Sequence, residues 1–241
     1  MTALPFSAIG ASSSVIGGTR SGIAVPQTRT LEFFDDFVHF EKASSATARW
    51  VDVGSGSGTT LSANGHGGLL QLTLPGSGED AAEGVSTGRA IYLFSASKEM
   101  YVEVKFQPNA AAIVSKSMFF GLSEATAQGN ANATILGTSN SHFGLSVINA
   151  SISLSHGGGG ATATTDTGAD LAAATDVIMA CHYDGKGTYR AYVDGVLGAV
   201  ETTGGTSHPS DLMYLLLSIE NNDNEAAAVG DVDYVYMKLA L

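Results

Sequence analysis

The stretch Met100-Tyr101-Val102-Glu103-Val104-Lys105-Phe106-Gln107 decides the architecture. Its apolar side chains Met100, Val102, Val104 and Phe106 occupy every second position, and Tyr101, Glu103, Lys105 and Gln107 fill the gaps. A period of two is the pleat of a β-strand, with one face on a core and the other in water. A helix would instead repeat its apolar positions every three to four residues.

The same alternation recurs on both sides of this segment. It runs through Leu69 to Leu74, Ala90 to Phe94, Ser117 to Leu122, His142 to Ile148, Thr175 to Tyr183, Thr188 to Val193, Leu212 to Ile219 and Val232 to Leu239. Asp184-Gly185-Lys186-Gly187 and Asp194-Gly195 carry the residues that tolerate positive φ in hairpin turns. Tyr183 to Leu197 therefore reads as a three-stranded meander, with Tyr189, Ala191 and Val193 on one face and Arg190 and Tyr192 on the other. Helix is scarce: Ser123 to Gln128 and Asp170 to Ala174 are short candidates, and neither could carry a fold. So many strands imply two packed antiparallel sheets, an all-β sandwich. The Gly-rich stretches Gly54 to Gly58 and Gly157 to Gly160 precede no helix that could face a phosphate, and read as flexible loops. No internal repeat is evident.

Composition narrows the function classes. The 241 residues include 11 Lys and Arg against 23 Asp and Glu, a net charge of -12, and no basic cluster stands out, so nucleic acid is not an expected partner. The hydrophobic fraction of 44% can supply a core, while the single Cys excludes an internal disulfide framework. Met1 to Thr19 holds neither Lys nor Arg, which argues against a secretion signal and for a protein made and kept in the cytosol or released by lysis. The longest apolar run, Leu212 to Ile219, is too short to cross a bilayer, and no membrane partner is expected.

Residues 1–30 differ from the remainder, being small and polar with Gly17-Gly18 and Pro26 as punctuation. They read as an extended N-terminal arm, followed by one β-sandwich domain over residues 31–241. The arm is either a frayed terminus or a tether, and its Val15, Ile16, Ile23 and Val25 are the candidate interaction residues.

Leu31-Glu32-Phe33-Phe34-Asp35-Asp36-Phe37, then Arg49-Trp50 and Gly67-Gly68-Leu69-Leu70-Gln71-Leu72, resembles the opening of concanavalin A-like (laminin-G-like) jelly rolls. His182-Tyr183-Asp184-Gly185, Tyr192-Val193-Asp194-Gly195-Val196-Leu197 and Asp231-Val232-Asp233-Tyr234-Val235-Tyr236 are similar to that family's later strands. Within this superfamily, the small-residue arm and acidic Gly/Ala/Thr-rich domain look like a tailed-phage virion protein. The resemblance implies a non-enzymatic bacteriophage structural protein, a capsid decoration or other virion surface protein assembled in the host cytoplasm. Its implied partners are the major capsid protein or other virion proteins and further copies of itself. The alternative it implies is a lectin-like, carbohydrate-binding module that contacts host glycans.

Catalytic patterns are sparse. Related glucanases carry Glu-x-Asp-x-x-Glu or Glu-x-Asp-x-Glu on one strand, and neither spacing occurs here. Asp231 and Asp233 share a strand face without a third acid, which suits surface or edge positions, and Glu103 beside Lys105 suits a cross-strand pair. Asn221-Asn222-Asp223-Asn224-Glu225 offers oxygens of the kind Ca²⁺ takes, yet lacks EF-hand spacing, and a polar turn would look the same. Trp50 suits a packed core aromatic. The six His residues lack metal-ligand spacing, and Cys181 and His182, being consecutive on a strand, point to opposite faces. No cofactor, metal site or catalytic residue is expected.

Overall fold

The computed structural model describes residues 30–38, 50–53, 62–64, 68–74, 82–90, 92–109, 116–124, 140–158, 160–202, 208–209, 211–221 and 227–240. The strands run in chain order as β1 (Thr30–Asp35), β2 (Trp50–Asp52), β3 (Ser62–Asn64), β4 (Leu69–Leu74), β5 (Ala82–Thr87), β6 (Tyr92–Leu93), β7 (Glu99–Pro108) and β8 (Ser117–Ser123). They continue as β9 (His142–Ile148), β10 (Ser151–Gly158), β11 (Ala161–Asp170), β12 (Val177–Asp184), β13 (Thr188–Val193), β14 (Val196–Thr202), β15 (Leu212–Glu220) and β16 (Ala228–Ala240). Among the described residues there is no helix.

Every pairing is antiparallel, and the strands form two sheets. The first has the order β14-β13-β12-β7-β16-β4-β3 with β1 also on β16, and the second the order β11-β10-β9-β8-β15-β5-β2 with β6 on β15. The chain is thus an all-β sandwich. Met100, Val102, Val104 and Phe106 of β7 all lie in the core, as their alternation requires. Phe106 meets Phe120 of β8 across the layer, their ring centroids 5.1 Å apart. Burying each such side chain contributes about 1.5–3 kcal/mol.

The meander is observed, β12 pairing with β13 and β13 with β14. Its turns use the expected chemistry: Gly185 and Gly187 have φ of 69° and 95°, and Asp194 and Gly195 have 50° and 77°. Asp184 Oδ1 accepts from the backbone N–H of Lys186 at 2.8 Å and of Thr188 at 3.1 Å, which closes the first turn.

Four local expectations are corrected. Gly157 and Gly158 are not loop but the end of β10, where a β-carbon on Gly157 would lie 2.7 Å from the His142 ring. Asp170 closes β11, and residues 171–176 make a turn rather than helix, with Ala174 at φ 55°. Ser123 ends β8 instead of capping a helix, while residues 125–128 lie outside the described residues. Asp231 and Asp233 are on β16, in the middle of the first sheet, so neither is at an edge: Asp233 is a partly exposed surface residue, one of the two expected positions, and Asp231 is buried.

Inner strands of the second sheet, β5 and β8, are buried on both faces. Phe119 and Leu216 point away from the sandwich interior and form a separate apolar cluster with Val53 and Ala82. Gly121 and Gly144 approach so closely there that a β-carbon on Gly121 would sit 2.5 Å from Gly144 Cα. Strands buried on both faces lose their polar alternation. At one margin the two sheets meet edge to edge: Thr165 of β11 donates to Glu201 Oε2 of β14 at 2.6 Å, and Gly198 of β14 packs on Thr167.

Candidate functional site

The outer face of the first sheet gathers polar and aromatic groups. β7 sends Tyr101, Glu103, Lys105 and Gln107 outward, since its other parity is committed to the core. On β16 the register shifts between Val232 and Tyr234, where the strand carries one extra residue against β7. Val232 and Val235 are both buried, so the two residues between them, Asp233 and Tyr234, both come to the outer side. A β-bulge of this kind re-aims side chains that strict alternation would place on opposite faces.

The bulge sets up two adjoining networks. Lys105 Nζ lies 2.6 Å from Asp233 Oδ2 and 3.1 Å from Asp176 Oδ2, and Asp176 Oδ1 accepts from Gln107 Nε2 at 2.6 Å. The Asp233 hydrogen bond holds the Lys105 ammonium above the ordinary lysine range, against the opposing effect of burial. Beside it, Glu103 accepts from both Tyr101 OH and Tyr234 OH, the latter at 2.8 Å. Burial, reinforced by the Glu103 carboxylate, pushes both phenols well above their usual value, so both remain donors. Asp231 is only 6% exposed, and accepts from Gln71 Nε2 at 3.2 Å and Asn109 Nδ2 at 2.5 Å.

Aromatic rings border these groups. Tyr101 lies 6.1 Å from Tyr236 and 6.4 Å from His182, and the exposed Phe34 lies 6.0 Å from Tyr234, all between ring centroids. A shallow depression of about 140 Å³ sits above Phe106, between Leu69, Gln107, Lys105 and the three aspartates 176, 231 and 233. Rings with fixed donors and acceptors beside them suit a polyhydroxylated ligand, which offers C–H faces for stacking and hydroxyls for hydrogen bonding.

A second cluster lies inside the sandwich. The His156 ring stacks on Tyr189 with centroids 3.8 Å apart and planes within 3°, and Tyr189 OH shares a 2.5 Å hydrogen bond with His208 Nδ1. Glu201 Oε2 lies 3.6 Å from His156 Nε2. His156 and Tyr189 are fully buried, so this group packs the closed margin rather than meeting a ligand.

The residues singled out from sequence fall as follows. Val15, Ile16, Ile23 and Val25 lie outside the described residues, as do Gly54 to Gly58, residues 222–225, His39 and His66. Asn221, the first residue of the proposed polar turn, is buried. Trp50 is a core aromatic packed against Phe33 and Phe37. Cys181 faces the core, and His182 faces outward, its Nε2 2.8 Å from Glu99 Oε1. Among the described residues no three His, Cys, Asp or Glu side chains converge as metal ligands. Lys105 does make a cross-strand ion pair, but with Asp233, while Glu103 is held by tyrosines. Gln71, Asn109 and Tyr234 were not legible as site residues. The bulge left one signal, the three-residue step from Val232 to Val235 within an otherwise alternating strand.

No protein-family model matches the chain, and no curated protein matches it in sequence. Solved structures do match in fold. A protein of unknown function from Shewanella oneidensis MR-1 superposes with a TM-score of 0.59 at 15% identity, over 92% of this chain and 97% of that one. An endo-1,3-β-glucanase from Streptomyces sioyaensis gives 0.57 at 16% identity, over 91% and 99%. Arcelin-5, a lectin-like defense protein from Phaseolus vulgaris, gives 0.57 at 12% identity, over 87% and 98%. The likeness is one of fold: the chain has the concanavalin A-like jelly roll that lectin-like and glycan-processing proteins share.

Proposed function

We propose that this protein is a non-enzymatic saccharide-binding sandwich that takes a glycan chain across the outer face of its first sheet. The observation that carries this reading is the bulge in β16, which sets Tyr234 and Asp233 side by side against Glu103 and Lys105 of β7. Tyr101, Tyr234 and Tyr236 would stack on sugar rings, while the fixed carboxylates and amides would take hydroxyl groups. The carboxylates are committed to holding that surface in shape. Both Glu103 oxygens accept from phenols, and Asp233 is bonded to Lys105, an arrangement that favours recognition over proton transfer. The fold shared with a lectin-like protein agrees with this reading but does not select it over hydrolysis. A glycan array probed with the full chain and with Tyr234→Ala tests it. Binding by the parent that falls about tenfold or more in the variant supports the reading, and a flat array with the parent overturns it. Release of reducing ends from a bound glycan would replace binding with catalysis.

A second reading concerns what carries the sandwich. Val15, Ile16, Ile23 and Val25 are more apolar than an idle terminus needs, and we propose that residues 1–30 anchor the domain to a virion surface, against the major capsid protein or sister subunits. The two readings are compatible, the arm holding the domain while the sheet meets a host glycan. Deletion of residues 1–30 should abolish co-sedimentation with particles and leave the sandwich folded. Unchanged co-sedimentation would remove the anchor.

A further inference from the structure

The charges of this face select among saccharides. Among the described residues, the basic side chains on its strands are paired: Lys105 with Asp233 and Asp176, Arg190 with Asp184 at 3.5 Å, Lys238 with Glu32 at 3.7 Å, and His182 with Glu99 at 2.8 Å. Once Lys105, Arg190 and Lys238 are matched with Asp233, Asp184 and Glu32, the carboxylates of Asp176 and Asp231 in the depression and of Glu103 beside the tyrosines remain as net negative charge on the face. On these strands a uronate or sulfate would have to compete with an existing ion pair for a cation, and would do so inside the field of these acids. We infer that the face takes neutral glycans and rejects anionic ones, an inference that rests on the saccharide-binding reading above.

The rejection is built in rather than adaptable. Lys105 is held between Asp176 and Asp233, which both line the depression, and Asp176 is itself fixed by Gln107, so the Lys105 charge is already matched where a ligand would meet it. Repulsion between such partly exposed charges is screened over roughly 10 Å at 0.1 M salt, so the discrimination weakens as salt rises.

Affinity electrophoresis of the full chain through gels containing neutral polymers (β-1,3-glucan, mannan, xylan) or anionic ones (alginate, polygalacturonate, dextran sulfate) tests this. At about 20 mM salt, where screening is weak, at least one neutral polymer should retard the protein while the anionic set leaves its mobility unchanged. Asp176→Asn, which removes one acid and leaves the Lys105–Asp233 pair in place, should narrow the neutral-to-anionic ratio by roughly threefold or more. Retardation by an anionic polymer equal to or stronger than by any neutral one would overturn the selectivity and leave saccharide binding standing. Retardation by neither class would overturn the saccharide reading and this inference with it.

Discussion

Trp50 donates its indole N–H to Asp35, Nε1 to Oδ2 at 2.7 Å, and this bond ties β2 of the second sheet to β1 of the first. Both residues are buried, and the other Asp35 oxygen accepts from the Phe37 N–H at 2.8 Å, in the turn where Phe37 takes a φ of 55°. A carboxylate thus satisfies two donors at the point where the layers join.

Asp35→Ala leaves the indole N–H without this acceptor and releases the Phe37 turn. A buried charge-assisted hydrogen bond is worth about 1.5–3 kcal/mol, and the variant should lose an amount in that range. Urea unfolding followed by tryptophan fluorescence measures it cleanly, because Trp50 is the only tryptophan. An unchanged midpoint would show that the bond contributes nothing to holding the layers together.

Stability should fall on mild acidification. His142 is fully buried on the outer side of the second sheet, with Nδ1 3.0 Å from Asn140 O and Nε2 3.2 Å from Ser155 Oγ. Burial pushes its imidazole down to about 4, His156 adds to the effect, and the Asn140 carbonyl opposes it. The unfolded chain therefore binds a proton between pH 6.5 and about 4 that the folded chain refuses. The stability from keeping this ring neutral is complete above pH 6.5, declines through that window and levels off near 4, a loss of up to about 3 kcal/mol. Burial lowers His208 as well, which acts in the same direction. Denaturant midpoints at pH 7.5 and 4.5 should differ accordingly, and His142→Gln should flatten the slope in part. A variant with the parent's full slope would assign the effect elsewhere.

Gly144→Ala should be far more damaging than a single methyl group suggests. Its β-carbon would meet Phe120 O at 2.6 Å and the Phe119 ring at 2.8 Å, and backbone cannot yield as a side-chain tip can. Overpacking costs about 1–3 kcal/mol. A lower thermal midpoint is the expected result. Gly195→Ala provides the contrast: nothing lies within 4 Å of its β-carbon position, so its only penalty is the φ of 77°.

Cys181 should behave as a reporter of global unfolding. It is completely buried, and burial pushes its thiol far above the usual range, removing the thiolate that disulfide reagents need. An aromatic disulfide reagent should label it only in denaturant, at the same midpoint as the fluorescence change. Labelling under native conditions would reveal local opening of β12.

The first sheet was largely legible in the amino-acid order, and so were β6, β8, β9 and β15 of the second, but β5, β10 and β11 were not. In β7, β4 and β13, one face meets core and the other meets water, so apolar and polar residues alternate and the period is plain. β5, with the sequence Ala-Glu-Gly-Val-Ser-Thr, is buried at all six positions and lacks that contrast, so no alternation marked it. The β10–β11 hairpin was hidden for a different reason. Gly157 and Gly158 look like loop residues, yet they sit where backbone and rings come too close for a side chain. The candidate site was harder still. Its acids and phenols could be read individually, but their grouping depends on one extra residue in β16 and on partners more than a hundred residues away, such as Lys105 with Asp233 and Asn109 with Asp231.

The margin where β11 meets β14 limits how copies of this protein could associate. An open sheet border invites another chain to add its own strand, the route by which many sandwiches polymerise. Here each border shields the other: Gly198 abuts Thr167, Thr165 bonds Glu201, and the extra residue at Gly198 breaks the ladder that an incoming strand would copy. Growth by strand addition is blocked on that flank, and association there has to proceed through side chains, such as the exposed Val196, Leu197 and Val200.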